Sequence, residues 1–116
     1  MTLRRWLVVR GDLNPVVGSE QGGVRPLLVV SHDSVNRSLP IVTVLPITSR
    51  KPGRKIYWPE VLLTAGTAGL PRDSIVMAHQ IRTLSKARVL EICGDLDEPD
   101  LRRRIASVLR RYLPVG

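Results

Sequence analysis

The stretch GSEQGGVRPLLVV, residues 18–30, joins a polar loop to a run of apolar residues. Its paired glycines let the backbone turn sharply and approach a ligand closely. Pro26 stiffens the entry to the apolar run and favours an extended conformation of the two residues before it. The run PLLVVS, residues 26–31, is bounded by turn residues, so it predicts a buried strand. Arg25 therefore stands on a firm scaffold at the start of a strand.

Working outward from this strand, short apolar runs separated by turn residues predict several more. They are WLVV (6–9), IVTVLPI (41–47), IYWPEVLLT (56–64), SIVMA (74–78) and VLEICGDL (89–96). HQIRTL (79–84) is expected to continue the sheet, and residues 32–40 to form one helical turn or an irregular loop. Pro46 is expected to confine the end of its strand to an edge or a bulge, because proline cannot donate a ladder hydrogen bond.

The segment DEPDLRRRIASVLRRYL, residues 97–113, predicts a C-terminal helix. Asp97 is expected to cap it and Pro99 to lie in its first turn. One face is apolar at helical spacing and is expected to lie on the sheet: Leu101, Ile105, Val108, Leu109 and Tyr112. Five arginines are expected to point outward, either solvated or touching nucleic acid: Arg102, Arg103, Arg104, Arg110 and Arg111.

Together these elements predict a single domain over residues 1–116. Its class is mainly β with a C-terminal helix (α+β), as a small, mostly antiparallel barrel or curled sheet. The chain has no Phe, so Leu, Val and Ile must build the core.

The charge balance predicts an anionic partner. Eighteen Lys and Arg against ten Asp and Glu give a net charge of +8, which favours nucleic acid over an acidic protein partner. Cys93 is the only cysteine, so neither an intramolecular disulfide nor a Cys-rich zinc site can form. No apolar run approaches a signal peptide or membrane span, so we expect a cytoplasmic protein without membrane contact.

The common cofactor and metal signatures are missing. There is no phosphate-binding P-loop, no dinucleotide-binding glycine motif and no nucleophile elbow. His32 and His79 lie far apart in sequence, and the acids at 95–100 are better explained by helix capping. We therefore expect no metal and no cofactor.

Two polar positions remain as a candidate site. A guanidinium is planar and permanently charged, so Arg25 at a strand end suits a phosphodiester, although it could equally be a surface residue in an ion pair. PITSR, residues 46–50, ends an apolar strand in Thr48 and Ser49. Adjacent strands of a barrel could bring Thr48 beside Arg25; the alternative is a simple Ser/Thr turn.

Longer motifs connect these positions to a known family. The segments DLNPVVGSEQGGVRPLLVVS, NRSLP, PITSR, GLPRDS and HQIRTL occur in this order. In them the chain resembles the MazF/PemK toxins of bacterial toxin–antitoxin pairs, from about Asp12 to the C-terminus. The start differs, because Trp6–Val9 comes first and Arg10–Gly11 precedes Asp12, so the first strand is expected to be shifted.

The resemblance implies a fold, an activity and partners. Family members fold as an SH3-like barrel, work as homodimers and cleave single-stranded RNA sequence-specifically without a metal. A cognate MazE-like antitoxin inhibits them by laying an extended tail across the RNA groove. The alternative within the same fold is a CcdB-like toxin that binds DNA gyrase and is not an enzyme. A third possibility is a basic barrel that binds RNA without cutting it.

The resemblance also assigns catalytic residues. Arg25 and Thr48 match the catalytic pair, and Glu20 matches a carboxylate implicated in activity. The implied reaction uses the RNA 2′-hydroxyl as nucleophile and leaves a cyclic phosphate or 3′-phosphate and a 5′-hydroxyl. A guanidinium hardly loses its proton at neutral pH, so Glu20 competes with Arg25 for the role of base.

The remaining candidates are polar or basic residues expected to contact RNA. They are Asn14, Ser19, Gln21, Ser49, Arg50, Lys51, Arg54, Lys55, Gln80 and Arg82. A structural role is the equal alternative for Gln80 and Arg82. Tyr57 and Trp58 are candidate surfaces for base stacking, and the alternative is that they belong to the core.

Overall fold

The computed structural model describes residues 1–115. Seven strands and two helices follow one another along the chain. They are β1 (Leu7–Asp12), β2 (Val24–Val29), α1 (Asp33–Ser38), β3 (Ile41–Ser49), β4 (Glu60–Leu63), β5 (Ser74–Met77), β6 (Arg82–Ser85), β7 (Val89–Asp95) and α2 (Pro99–Tyr112). All strand pairs are antiparallel, in the order β4-β5-β3-β2-β1-β7, and β6 also pairs with β3. The predicted class, a mostly antiparallel sheet with a C-terminal helix, is confirmed.

Strand β3 connects the two parts of the sheet. Its first half pairs with β6, its middle with β2 and its end, Ile47–Ser49, with β5. Pro46 lies inside this strand, between the last residue paired with β6, Val44, and the first paired with β5, Ile47. The strand therefore does not end at Pro46 as expected: Pro46 pairs with Leu27 of β2, and on its other side it faces the unpaired gap between β6 and β5. A residue without an N–H is tolerated where the strand changes its partner.

Strand β1 is longer than predicted and begins one residue later. Trp6 has a left-handed backbone (φ 76°), so the strand begins at Leu7. It runs through Arg10 and Gly11 to Asp12, because both β2 and β7 pair with it there. A β-carbon at Gly11 would lie 2.8 Å from the end of the Leu27 side chain and 3.1 Å from the Arg88 carbonyl oxygen, so a larger residue there would have to displace Leu27.

The predicted strand over 56–64 is shorter in the structure. Residues before Glu60 form a turn in which the backbone N–H of Glu60 donates to the carbonyl of Tyr57 at 2.9 Å. Pro59 lies in this turn, so pairing with β5 begins only at Glu60. The predicted continuation of the sheet over 79–84 is confirmed for β6, whereas Ala78–Gln80 forms a 3₁₀ turn.

Helix α2 covers the sheet through its predicted apolar face. Ile105 is fully buried, and Leu101, Val108 and Leu109 pack partly against the same core. The N-cap is Glu98, without a side-chain cap bond, so the prediction that Asp97 caps the helix is wrong. Pro99 in the first turn fixes the start one residue further on, since proline needs no N–H partner there.

The arginines of α2 do not all point outward. Arg102 is partly buried, donates to the carbonyl of Leu96 and pairs with Asp95 at 3.2 Å. Its guanidinium also lies 5.7 Å from the centre of the Trp6 ring. Arg102 therefore ties the helix to the end of β7.

Two clusters of buried Leu, Val and Ile side chains form the core, as the composition predicts. One lies between α2 and the β4–β5 side of the sheet and the other beside β1, β2 and the start of β3. Helix α1 is the single helical turn expected near residues 32–40 and buries Asn36. Neither helix within residues 1–115 has the length and apolarity needed to cross a bilayer.

Candidate active site

The loop of residues 13–23, between β1 and β2, is held on the sheet by Gln80. The Gln80 side chain accepts a hydrogen bond from the backbone N–H of Gln21 at 3.2 Å. It also donates to the carbonyl of Ser19 at 3.4 Å. These two contacts flank Glu20, so Gln80 brackets the backbone of the candidate base.

Two arginines hold the other end of this loop. Arg82 donates to the carbonyl of Leu13, and Arg88 donates to the carbonyls of Asp12, at 3.2 Å, and Asn14. The Asn14 side chain closes the loop by accepting from the Gly23 N–H at 3.0 Å. Asn14, Arg82 and Gln80, all candidates for RNA contact, thus make structural contacts within the protein.

Arg25 lies at the start of β2, opposite Gly11 of β1. Its Nε donates to the carbonyl of Gly22 at 2.8 Å, which fixes the plane of the guanidinium beside the loop. Within residues 1–115, its two terminal nitrogens make no hydrogen bond or ion pair. The four N–H groups on these two nitrogens of a partly buried cation are thus left for an anion.

The register of β2 and β3 relates Arg25 to Thr48. Leu27 pairs with Pro46 and Leu28 with Leu45, and Arg25 and Thr48 each lie two residues beyond the last of these pairs. Pairing stops at Leu27 because β2 continues along β1, whereas the end of β3 turns to β5. The two candidate residues therefore stand on either side of the point where the strands part.

Two neighbouring cavities open at this point and share Gln21. The larger has a volume of about 280 Å³ and is lined by Gln21, Thr48, Ser49, Lys51, Arg54 and Met77. The other, of about 240 Å³, is lined by Glu20, Gln21, Pro46, His79, Gln80, Ile81 and Arg82. Eight of the thirteen candidate site residues thus line one or both of these cavities. Arg25 lines neither, but it is bonded to Gly22, the residue after Gln21.

The basic loop after β3 contributes one exposed lysine to the Thr48 cavity, Lys51. Arg50 stays outside it: its backbone N–H donates to the Asp73 carbonyl at 2.8 Å and its Nε to the Arg54 carbonyl at 3.1 Å. Lys55 is exposed, with its ammonium 5.6 Å from the centre of the Tyr57 ring.

The Arg54 guanidinium is bound by a carboxylate of the protein itself. Its guanidinium makes two hydrogen bonds to the carboxylate of Glu60, at 2.9 and 2.7 Å, and the Glu60 side chain is only 3% exposed. The Arg54 bond holds the pKa of Glu60 below its usual value, against the effect of burial. The same bond raises the pKa of Arg54. Arg54 therefore holds its own loop in place through Glu60, and the Glu60 carboxylate largely balances the Arg54 charge.

Sequence reasoning gave no role to His79, yet the structure places it in the Glu20 cavity. Its Nδ1 is buried and has no hydrogen-bond partner within residues 1–115. The only local signal is its place directly before Gln80. Within residues 1–115, no group of three His, Cys, Asp or Glu side chains is close enough together to hold a metal ion.

Tyr57 and Trp58 lie on the surface, 57% and 47% exposed. The alternative that they belong to the core is therefore wrong. The turn before Glu60 explains their exposure, because it takes both residues out of the sheet.

Comparison with known proteins identifies the family of the chain. The family model for the PemK-like, MazF-like toxin of type II toxin–antitoxin systems matches residues 4–113, including the first strand that the motifs alone did not cover. Endoribonuclease EndoA of Bacillus subtilis (strain 168) is 42% identical over 98 residues, which are 84% of each chain.

Solved structures show the same fold. The crystal structure of MazF from Deinococcus radiodurans superimposes with a TM-score of 0.83 at 28% identity, covering 99% of both chains. A crystal structure of MazE-MazF from the same organism gives a TM-score of 0.75 at 27% identity and covers 100% of this chain and 99% of that one. The chain belongs to the PemK-like, MazF-like toxin family of type II toxin–antitoxin systems.

Proposed function

We propose that this protein is an endoribonuclease toxin that cleaves single-stranded RNA sequence-specifically and without a metal ion, at the junction of β2 and β3. What supports the proposal is that Arg25 and Thr48 each lie just beyond the last paired residues of β2 and β3, near two adjoining cavities, one lined by Glu20 and the other by Thr48. Family membership and the 42% identity to an endoribonuclease support the same activity.

In the proposed mechanism, the nucleophile is a hydroxyl group of the RNA itself, and the protein orients it. The RNA 2′-hydroxyl already stands near the phosphorus, so alignment and charge stabilisation supply most of the catalysis. The free donors of Arg25 neutralise the charge that develops on the phosphorane, and the Thr48 hydroxyl donates to a non-bridging oxygen. As the 2′-oxygen bonds to phosphorus, the bond from phosphorus to the 5′-oxygen breaks, and that oxygen takes a proton from the protonated base or from water. The products are a 5′-hydroxyl and a 2′,3′-cyclic phosphate, which water can open to the 3′-phosphate.

Glu20 takes the proton of the 2′-hydroxyl in this mechanism. Arg25 is a poor base because a guanidinium stays protonated at neutral pH. The Glu20 carboxylate is exposed, and its protein contact is a 3.3 Å bond from the Val17 N–H, so it keeps acceptor capacity for a substrate hydroxyl. His79 lies in the same cavity and is a second candidate proton carrier.

RNA contacts in this proposal come from Gln21, Ser49, Lys51 and Lys55 together with the exposed Ser19 and Arg50. Asn14, Arg54, Gln80 and Arg82 hold the loops that present these groups. Residues 1–116 act as a single toxin domain that forms a homodimer, which light scattering would detect as twice the chain mass of 12.9 kDa.

A cognate antitoxin is the proposed inhibitor, acting in the cytoplasm. A related toxin has been crystallised as MazE-MazF, and the net charge of +8 suits an acidic inhibitory tail. Nothing in the comparisons supports the alternative of a gyrase-binding toxin, so the ribonuclease is the function we put forward.

The test is cleavage of a long single-stranded RNA in the presence of EDTA, with the cut sites mapped by primer extension. We expect cleavage at a short recurring sequence that EDTA does not stop. Arg25→Ala should reduce the rate at least 100-fold while the circular dichroism spectrum is unchanged, because a main donor to the transition state is lost. Arg104→Ala, which removes an exposed arginine from α2, is the matched control and should cut normally. Loss of cleavage in EDTA, or normal cleavage by Arg25→Ala, would refute the mechanism.

A further inference from the structure

An exposed aromatic surface near the candidate active site joins Trp58, a candidate for base stacking, to two residues of α2. Trp58, in the turn before β4, meets Tyr112 in the last turn of α2, with ring centres 6.4 Å apart and planes inclined by 49°. Arg111 lies over the Trp58 ring, its guanidinium carbon 4.0 Å from the ring centre. We call Trp58, Arg111 and Tyr112 the aromatic platform.

The aromatic platform is physically continuous with the Glu20 cavity. The Tyr112 hydroxyl donates to the backbone carbonyl of His79 at 3.3 Å, and the His79 side chain lines that cavity. On the other side, Trp58 is two residues from Glu60, which holds Arg54 at the Thr48 cavity. The platform thus contacts a residue that lines one cavity, and its Trp58 lies four residues along the chain from Arg54, which lines the other.

Its chemistry suits a nucleobase. Trp58 is 47% and Tyr112 37% exposed, so flat apolar faces remain in water instead of packing in the core. A guanidinium stacked on an indole offers a planar surface to a base and a permanent charge to the adjoining phosphate. Stacking on aromatic rings tolerates any base, so such a site extends binding without setting the cut sequence.

We infer that the aromatic platform of Trp58, Arg111 and Tyr112 is a stacking subsite for a nucleobase of the RNA outside the cleaved dinucleotide. The inference rests on the proposed function, because it extends the same RNA site. The positive charge favours RNA over an apolar protein surface, since Arg111 lies over the Trp58 ring and Arg110 is also exposed in the last turn of α2.

The experiment measures binding with an RNA that the wild-type protein cuts, carrying one 2′-deoxy group at the cut site so that the nucleophile is missing. Two lengths are compared by fluorescence anisotropy: a short RNA limited to the recognised bases and one extended by six nucleotides on each side. We expect Trp58→Ala to weaken binding of the long RNA about tenfold, which is within the usual effect of losing one stacked base. Binding of the short RNA should hardly change, and Trp58→Phe should recover most of the loss.

Salt dependence separates stacking from charge. Trp58→Ala should leave the slope of log affinity against log salt unchanged, since stacking releases no counterions, whereas Arg111→Gln should flatten it by about 0.7. Arg104→Gln, an equal charge loss elsewhere on the exposed side of α2, should flatten it less. The expected pattern supports the subsite.

Several results would overturn the inference while leaving the ribonuclease intact. Equal affinity of Trp58→Ala and wild type for the long RNA would do so, and so would an equal loss on both lengths, which indicates a structural defect. Unchanged RNA affinity together with dissociation of the dimer would assign the platform to a protein contact. RNA cleavage by the wild-type protein is measured before any variant is compared. If the wild type cuts no RNA at all, the proposed function itself fails.

Discussion

At the scale of single residues, the site depends on which charges the protein itself neutralises. Arg54 and Lys51 lie in the same basic loop and line the same cavity, so a sequence gives them equal standing as RNA ligands. The structure separates them, because the carboxylate of Glu60 takes the Arg54 guanidinium through two hydrogen bonds. Lys51 stays exposed. The free cation is the better phosphate ligand.

The Glu60–Arg54 ion pair makes the stability of the folded protein depend on pH in the acidic range. Arg54 lowers the pKa of Glu60 in the folded protein, so the pair contributes stability above the ordinary value of 4.5 and loses it as pH falls through the lower folded value. We expect the melting temperature of the wild type to fall below about pH 4.5 more steeply than that of Glu60→Gln. At pH 7 the variant should be less stable by about 1–3 kcal/mol, because Arg54 loses a charged partner.

Thermal melts from pH 3 to 7 check this, with Glu98→Gln as the control. Glu98 is exposed and makes neither an ion pair nor a side-chain cap bond within residues 1–115, so its removal should change the acid slope much less than Glu60→Gln does. Parallel curves for the wild type and Glu60→Gln would contradict the prediction.

Thr48 tests the proposed oxyanion donor. Thr48→Val keeps the shape of the side chain and removes the hydroxyl, so the rate of RNA cleavage should fall about 10²–10³-fold, as for other lost transition-state donors. Thr48→Ser keeps the hydroxyl and should retain most activity. Single-turnover cleavage rates provide the measurement. A Thr48→Val protein that cuts at the wild-type rate would remove Thr48 from the mechanism.

At the scale of elements, the loop of residues 13–23 owes its position to β6 and the turn before it. Gln80 brackets Glu20, while Arg82 and Arg88 fasten Leu13 and Asn14. These contacts join residues about 60 to 75 positions apart in the chain, so no local pattern reveals them. The loop is long enough to be mobile without these side chains.

The two hydrogen bonds of Gln80 predict an effect on the mobility of the 13–23 loop that can be measured separately from RNA cleavage. Gln80→Ala should speed hydrogen exchange at the Gln21 amide, because its acceptor is gone. Gln80→Glu is the matched control, since it still accepts from Gln21 but cannot donate to Ser19. Native-state exchange followed by NMR compares the three proteins. Equal protection of Gln21 in Gln80→Ala and the wild type would show that the bracket does not hold the loop.

At the scale of the whole molecule, the net charge of +8 sets how the protein meets RNA. Ion pairs use part of this charge internally: Arg4 and Arg102 with Asp95, Arg10 with Glu91, Arg54 with Glu60 and Arg103 with Asp100. The exposed lysines at the site remain available, and their field both attracts RNA and orients it.

Affinity should therefore fall steeply with salt, and single variants should report which cations touch phosphate. Lys51→Gln and Lys55→Gln should each flatten the slope of log affinity against log salt by about 0.7, the value expected for one lost contact with a single strand. Lys86→Gln is the control, because the Lys86 ammonium donates to the carbonyl of Asn36 away from the site. The measurement is a salt titration with the uncleavable RNA. Identical slopes for all three variants would place the RNA elsewhere.

Local sequence determined most of the architecture. Apolar runs between turn residues located β2, β3, β5 and β7, and helical spacing located α2, because both patterns arise from the backbone period of a single element. Ordered motifs were enough to identify the family. Strand ends were less predictable: Tyr57 and Trp58 have strand-like side chains, yet a turn closed by Glu60 excludes them.

The sequence by itself thus determined the strands, the C-terminal helix, the positive charge and the motifs that contain Arg25 and Thr48. Only the tertiary structure decided that Glu60 binds the Arg54 guanidinium and that Pro46 lies inside β3. It also decided that His79 shares a cavity with Glu20 and that Arg111 lies over the Trp58 ring. The physical reason is distance along the chain. A periodic pattern reports what each segment can form, whereas the choice of partner for a donor, a ring or a charge depends on segments that only folding brings together.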